Sequence, residues 1–340
     1  MNRGLHRFAL LLAGATFFLI IAGALVTSHD AGLATADWPL TEGKFLPKVD
    51  SLGLSSGVNM VGNLFWEHGH RMVATTVGLL TIGMVIFLFR KEERSWVRRL
   101  GLVALAGVVA QGLLGGLTVK LMLPLVVSAA HATLAQLFFC TTVSLAVFTS
   151  SSWIKDRALI EDQGSLPLRY VCVAAAAAIF LQLIIGATLR HSATWDKPLP
   201  TDLLLTHVGG AVAVTLLLGS AALLILRRHS DESFLARPAK VALSLLGLQL
   251  LLGVAAYLAR VASPNDPQPL NPMVGITVAH VACGALVFAT TIVLTLRVFK
   301  VLRSDASTFQ FAVRQAEARP SGTAGVEPPT VALPDGRASA

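Results

Sequence analysis

The sequence predicts an all-α integral membrane protein with eight transmembrane helices in two pseudo-symmetric four-helix bundles. Three observations carry this. Of the 340 residues, 54% are hydrophobic and 14% charged, with a mean hydropathy of +0.69; a water-soluble chain of this length needs far more charge on its surface. The apolar residues fall in long runs, each sufficient to cross about 30 Å of hydrocarbon. The runs also repeat a pattern at their outward ends, which is the mark of a duplicated unit.

The spans are 8–27, 67–90, 97–119, 123–149, 170–190, 203–226, 240–260 and 273–299. The first follows a short basic N-terminus, as a signal peptide would. Its length, its poor small-residue cleavage site and its share in the repeat (Gly23 and Thr27) predict that it is retained. The first, third, fifth and seventh spans end in FLIIAGALVT at 18–27, QGLLGGLTV at 111–119, QLIIGATLR at 182–190 and QLLLGVAAYL at 249–258. The spans that follow them open on EHGHRMVAT at 67–75, AHATLAQ at 130–136, THVGGA at 206–211 and AHVACGA at 279–285. The repeat unit is thus a helical hairpin, and two hairpins make a four-helix bundle. The expected organisation is a bundle over 1–150, a cytoplasmic linker over 151–168, a second bundle over 169–303, and a polar, disordered tail over 304–340.

The net charge of +8 is a topology signal and does not point to nucleic acid. Twenty of the 27 Lys and Arg residues lie at the termini or in alternate loops, such as Arg90 to Arg99, Lys155 to Arg169 and Arg227 to Lys240. Positive charge stays inside, so both termini are expected in the cytoplasm of a plasma (inner) membrane protein, beside anionic lipid. Cys140, Cys172 and Cys283 all fall inside spans. They read as packing residues rather than a disulfide framework. The first outer loop, 28–66, is the longest and carries Asp30, Asp37, Trp38, Pro39, Glu42 and Pro47.

Of nine histidines, His70, His131, His207 and His280 sit in the first turns of alternate spans. A histidine inside a membrane span is costly without a partner and marks function by default. Two neutral imidazoles facing across a bundle form an axial pair for haem iron. Pairing within bundles joins His70 to His131 and His207 to His280. Ala74, Ala135, Ala211 and Gly284, four residues on, are all small and would leave flat space beside each ring, although membrane helices favour small residues for packing in any case. The halves differ in Glu67, on the same helix face as His70; the second half has Leu204 and Thr277 at the matching places. A carboxylate at one site only points to chemistry there and electron handling at the other, and equally to an acid capping the start of a helix. His68 points to another face than His70 and reads as interfacial. Arg71, Arg190 and His191 lie near the outer ends, where they would pair with haem propionates or simply snorkel.

These motifs together resemble the heme A synthase family: EHGHR at 67–71 and the histidines of AHATLAQ, THVGGA and AHVACGA, with AGLATADWPLTEGKFLP at 31–47 similar to that family's first outer loop. The likeness covers roughly residues 8–300. It implies oxidation of the ring-D methyl group of haem O to a formyl, with water as the oxygen source, giving haem A for terminal oxidases. It implies a substrate haem between His70 and His131, with Arg71 and with Glu67 as the catalytic acid. It implies heme b as cofactor on His207 and His280. It allows contacts with haem O synthase and a terminal oxidase subunit, and a homo-oligomer. Some members carry a cysteine pair in the first outer loop; this chain has none there and resembles the cysteine-free type.

Other classes fit less well. A di-haem b electron carrier usually sets its haems near opposite faces, whereas these four histidines share one side. A prenyltransferase needs Asp-rich motifs for magnesium pyrophosphate, which no span carries. A haem-delivery protein without chemistry differs in leaving Glu67 no role.

Overall fold

The computed structural model describes residues 2–35, 37–41, 43, 62–162, 166–192, 199–262 and 271–303. Several expectations lie outside them: the tail from 304, Glu42 and Pro47 of the first outer loop, and most of the third and fourth outer loops. Among the described residues there are eight helices long and apolar enough to cross a membrane. They are α1 (Arg3–Ser28), α2 (Asn63–Lys91), α3 (Ser95–Lys120), α4 (Leu125–Thr149), α6 (Leu168–Ser192), α7 (Thr201–Arg228), α8 (Ser233–Ala262) and α9 (Asn271–Val301); α5 (Ser151–Ile154) is a single short turn. The chain is an all-α multi-pass membrane protein.

The helices run 25–31 residues, or about 38–46 Å, so each emerges beyond the apolar layer. Their ends follow local chemistry. The Asn2 side chain accepts from Leu5 N at 3.0 Å and caps α1. Gly62 precedes α2 with φ +60°, a conformation that L side chains resist. Pro124 and Pro200 stand immediately before α4 and α7. The α2–α3 turn is held by Arg94, which forks onto Glu92 and donates to Phe148 O at 2.9 Å, tying it to the end of α4. The side-chain hydrogen bond from Arg94 to Glu92 holds the Glu92 carboxyl below its usual range.

Each hairpin packs on itself: α1 on α2, α3 on α4, α6 on α7 and α8 on α9. Contacts of α1 with α4 and α2 with α3 close one four-helix unit, and contacts of α6 with α9 and α7 with α8 close another. Helices α1, α4, α6 and α9 join the two, and residues 1–303 form one compact unit. Ile20, Phe139, Ile179, Leu218 and Phe288 fill the junction. Leucines such as Leu79, Leu216 and Leu251 stand exposed on the outer helix faces, where lipid is their solvent. Buried threonines satisfy themselves within their own helix: Thr16 donates to Leu12 O, Thr81 to Val77 O and Thr291 to Val287 O, as backbone and hydroxyl groups out of reach of water must.

The segment joining the two units is anchored to α9. Ile160–Glu161 pairs in parallel with Leu302–Arg303 as a two-residue ladder, and Lys300 Nζ donates to Trp153 O.

Candidate functional site

The four span histidines are held in the same way. Opposite each stands a glycine of the preceding helix. A methyl group added to Gly23, Gly115 or Gly253 would lie 3.1 Å from Cε1 of His70, His131 or His280, and one on Gly186 would lie 2.9 Å from Cε1 of His207. In every case Cε1 comes nearest, then Nδ1, then Nε2, so the rings share one orientation. Any larger residue would displace the imidazole or part the helices. The small residues that make room for the rings are therefore on the facing helix. The position four after His280 is not open space: Gly284 admits the side chain of Gln249, whose Nε2 would lie 3.2 Å from a methyl there.

Three glutamines form a second repeated feature, each four residues before the glycine. Gln111 Nε2 donates to His131 O at 2.9 Å, and Gln182 Nε2 donates to His207 O at 2.8 Å and lies 3.0 Å from His207 Nδ1. Gln249 Nε2 lies 3.3 Å from His280 Nε2. The matching residue of α1 is Leu19, so the His70 hairpin lacks this tie. Both sets could have been found in the sequence, as Q-x-x-x-G recurs in three of the four outward stretches.

His207 and His280 face each other, with ring centres 6.4 Å apart and planes at 70°. Two imidazoles that each place a nitrogen about 2 Å from one shared metal ion put their centres roughly 6 Å apart. The other pair is also brought together: His131 is the histidine whose charge bears most on His70. Nδ1 of His70, His131 and His280 is buried without a hydrogen-bond partner among the described residues. Buried polar nitrogens are normally paired, so these rings want a partner that the described residues do not supply. The donor set and the glycine gaps in both halves, and the ring spacing of His207 and His280, fit residues that would hold a haem. Among the described residues the histidines come in pairs; no group of three or more metal-ligating side chains occurs.

Among the described residues the N-terminal pair alone has a polar structure over it. Glu67 is buried, at 4% exposure. It lies beyond the first turn of α2 and does not cap it. It pairs with Arg71, and its Oε2 accepts from Thr35 N at 2.9 Å. Arg71 Nη1 donates to Asp37 O at 3.0 Å, Leu40 O at 2.7 Å and Thr41 Oγ1 at 3.2 Å. His68 is buried too, with Nδ1 3.1 Å from Thr41 Oγ1. Segment 30–41 is thus strapped to the first turns of α2. Trp38 anchors its middle: the indole lies on Gly116, beside the glycine that meets His131, and a methyl there would come within 2.5 Å of the ring. Trp66 stacks on His29 at 4.1 Å and closes the end of the strap. None of these loop contacts is legible in composition or periodicity, because the strap joins residues some 30 positions apart.

Arg190 and His191 end α6. Arg190 donates to Ser28 Oγ at 2.6 Å, crossing from one half to the other. Its charge reaches His280, and His191 is in reach of His131.

Residues 6–195 match the family described as cytochrome oxidase assembly protein. The chain is 27% identical over 270 residues to the heme A synthase of Symbiobacterium thermophilum, an alignment covering 74% of this chain and 85% of that one. It belongs to the heme A synthase family. Two further family members align with it. The heme A synthase of Shouchella clausii is 25% identical over 276 residues, covering 75% of this chain and 86% of its own. That of Beijerinckia indica is 39% identical over a shorter 118 residues, a third of each chain. The family match spans α1 to α4 and reaches α6, and so includes Glu67, Arg71, His70, His131 and the strap.

Proposed function

We propose that this chain is a heme A synthase that oxidises the ring-D methyl group of haem O to a formyl, giving haem A for terminal oxidases. The observation that carries the reading is an asymmetry between two alike sites. Both histidine pairs are cradled by glycines at matching positions, yet only His70 and His131 have Glu67, Arg71 and the strap beside them. The N-terminal pair is the substrate site and the C-terminal pair, His207 with His280, holds haem b. When bound there, haem b supplies one-electron redox chemistry.

The overall change takes one oxygen from water: a methyl group and water become a formyl group, four protons and four electrons, the electrons passing to an external acceptor. The protein's part is to hold the methyl group, limit water and remove protons. His70 and His131 fix the substrate from its two faces. Glu67 has acceptor positions left after its bonds to Arg71 and Thr35 N, and it takes a proton from the reacting water or carbon. Arg71 keeps that carboxylate aimed and holds the strap, which restricts water at the outer end. Sites near the outer face of the plasma membrane, with both termini in the cytoplasm, follow from the distribution of Lys and Arg.

Glu67→Ala tests this. Haem A formation should be lost while the purified protein keeps its bound haem. Haem A production at the parent level in that variant would return the chain to haem binding or delivery without chemistry.

A further inference from the structure

A cavity of about 570 Å³ opens at the end of the molecule away from the histidines, between α4 and α8 and over α9. Arg297 on its floor is 17 residues beyond His280 on α9, about 25 Å along the axis. The cavity has a basic end and an apolar end. Arg157, Arg237 and Arg297 gather at one; Val143, Val241 and Val293, from three different helices, line the other.

The arginines are held beside one another. The guanidinium groups of Arg157 and Arg297 lie over the ring of Phe234, at 3.9 and 4.6 Å from its centre. Pro238 has no N–H to give to the carbonyl of Phe234, four residues back; Arg297 Nη1 donates to it instead, at 2.9 Å. The charges of Arg157 and Arg237 both bear on Arg297. Among the described residues no Asp or Glu lines the cavity, and none of the three arginines forms an ion pair. The neighbouring Asp156 bears on Lys300. Nε of Arg157 and Nε of Arg297 are buried with no hydrogen-bond partner among the described residues. Like charges clustered without an acid, with unmet donors at an apolar cleft, call for an anion attached to an apolar body.

We propose that this cleft binds an anionic phospholipid, its phosphate among Arg157, Arg237 and Arg297 and an acyl chain along α4, α8 and α9. The site is separate from the haem chemistry and does not depend on it. The test uses the full chain, delipidated in detergent, with phosphatidylglycerol, phosphatidylcholine and inorganic phosphate as probes. Bound lipid is counted by native mass spectrometry, and thermal stability is followed in parallel. Phosphatidylglycerol should be retained and should raise the melting temperature; phosphatidylcholine and millimolar phosphate should do neither. Arg237→Gln and Arg297→Gln should each weaken retention about fivefold, whereas Arg98→Gln, on the same side but outside the cleft, should not. Arg237 is exposed, so its variant reads the site even if Arg297→Gln, which frees Phe234 O, fails to fold. Equal retention of the two lipids, or retention unchanged in Arg237→Gln, overturns the proposal. Stabilisation by phosphate alone equal to that by phosphatidylglycerol overturns it as a lipid site.

Discussion

The imidazole of His280 occupies the space that a side chain at residue 253 would fill. Overpacking at such a contact costs about 1–3 kcal/mol, enough to move a metal ligand out of line. Gly253→Ala should therefore lower the haem content of the purified protein and alter its absorbance bands. Gly247→Ala in the same helix, where a methyl meets nothing within 4 Å, should leave both at the parent level. Equal spectra for the two variants would show that the gap is not what positions His280. The histidines were legible as single residues because an ionisable group in an apolar run stands out. Their glycines stand in the repeat, but only the facing helix gives them a meaning. Glu67 was legible as an acid in the wrong place for solvent. Its two partners differ: Arg71 is four residues away, one helical turn, whereas Thr35 comes from a loop whose path no periodicity reveals.

At the scale of elements, hairpins are built from a glycine helix and a histidine helix. In three of them a glutamine crosses between the two. Interhelical hydrogen bonds of this kind are worth about 0.6 kcal/mol on average, so they set rotation and register more than stability. The first hairpin has Leu19 there, and the strap over α2 takes the place of the glutamine. Trp38 resting on Gly116 is the part of the strap that reaches α3. Gly116→Ala should push the indole off and expose segment 30–41 to limited proteolysis; Gly112→Ala, one turn earlier with open space around it, should not. Equal cleavage of both variants would mean that the Arg71 and Glu67 bonds hold the strap alone. The eight spans and the hairpin unit were readable from hydropathy, since long apolar runs admit little else. Helix ends were less so: α1 begins at Arg3 and α2 at Asn63, because polar residues extend a helix beyond the apolar layer at little cost.

Over the whole molecule, two four-helix units share a junction of α1, α4, α6 and α9, and each holds one histidine pair. Arg190 bonds to Ser28 across that junction. At the other end, the arginine cleft is lined by α4, α8 and α9. Glu67 precedes His70 by three residues, where Leu204 and Thr277 precede His207 and His280; that difference was legible in the sequence, and the strap beside Glu67 was not. The proposed function assigns different haems to the two histidine pairs. Pigment extraction from the purified protein, with each haem identified chromatographically and counted per chain, tests it most directly. The account predicts haem b together with haem O or haem A, with His280→Ala losing the haem b alone and His70→Ala the other. Haem b in both sites, or a protein that stays colourless after haem is supplied, would contradict it.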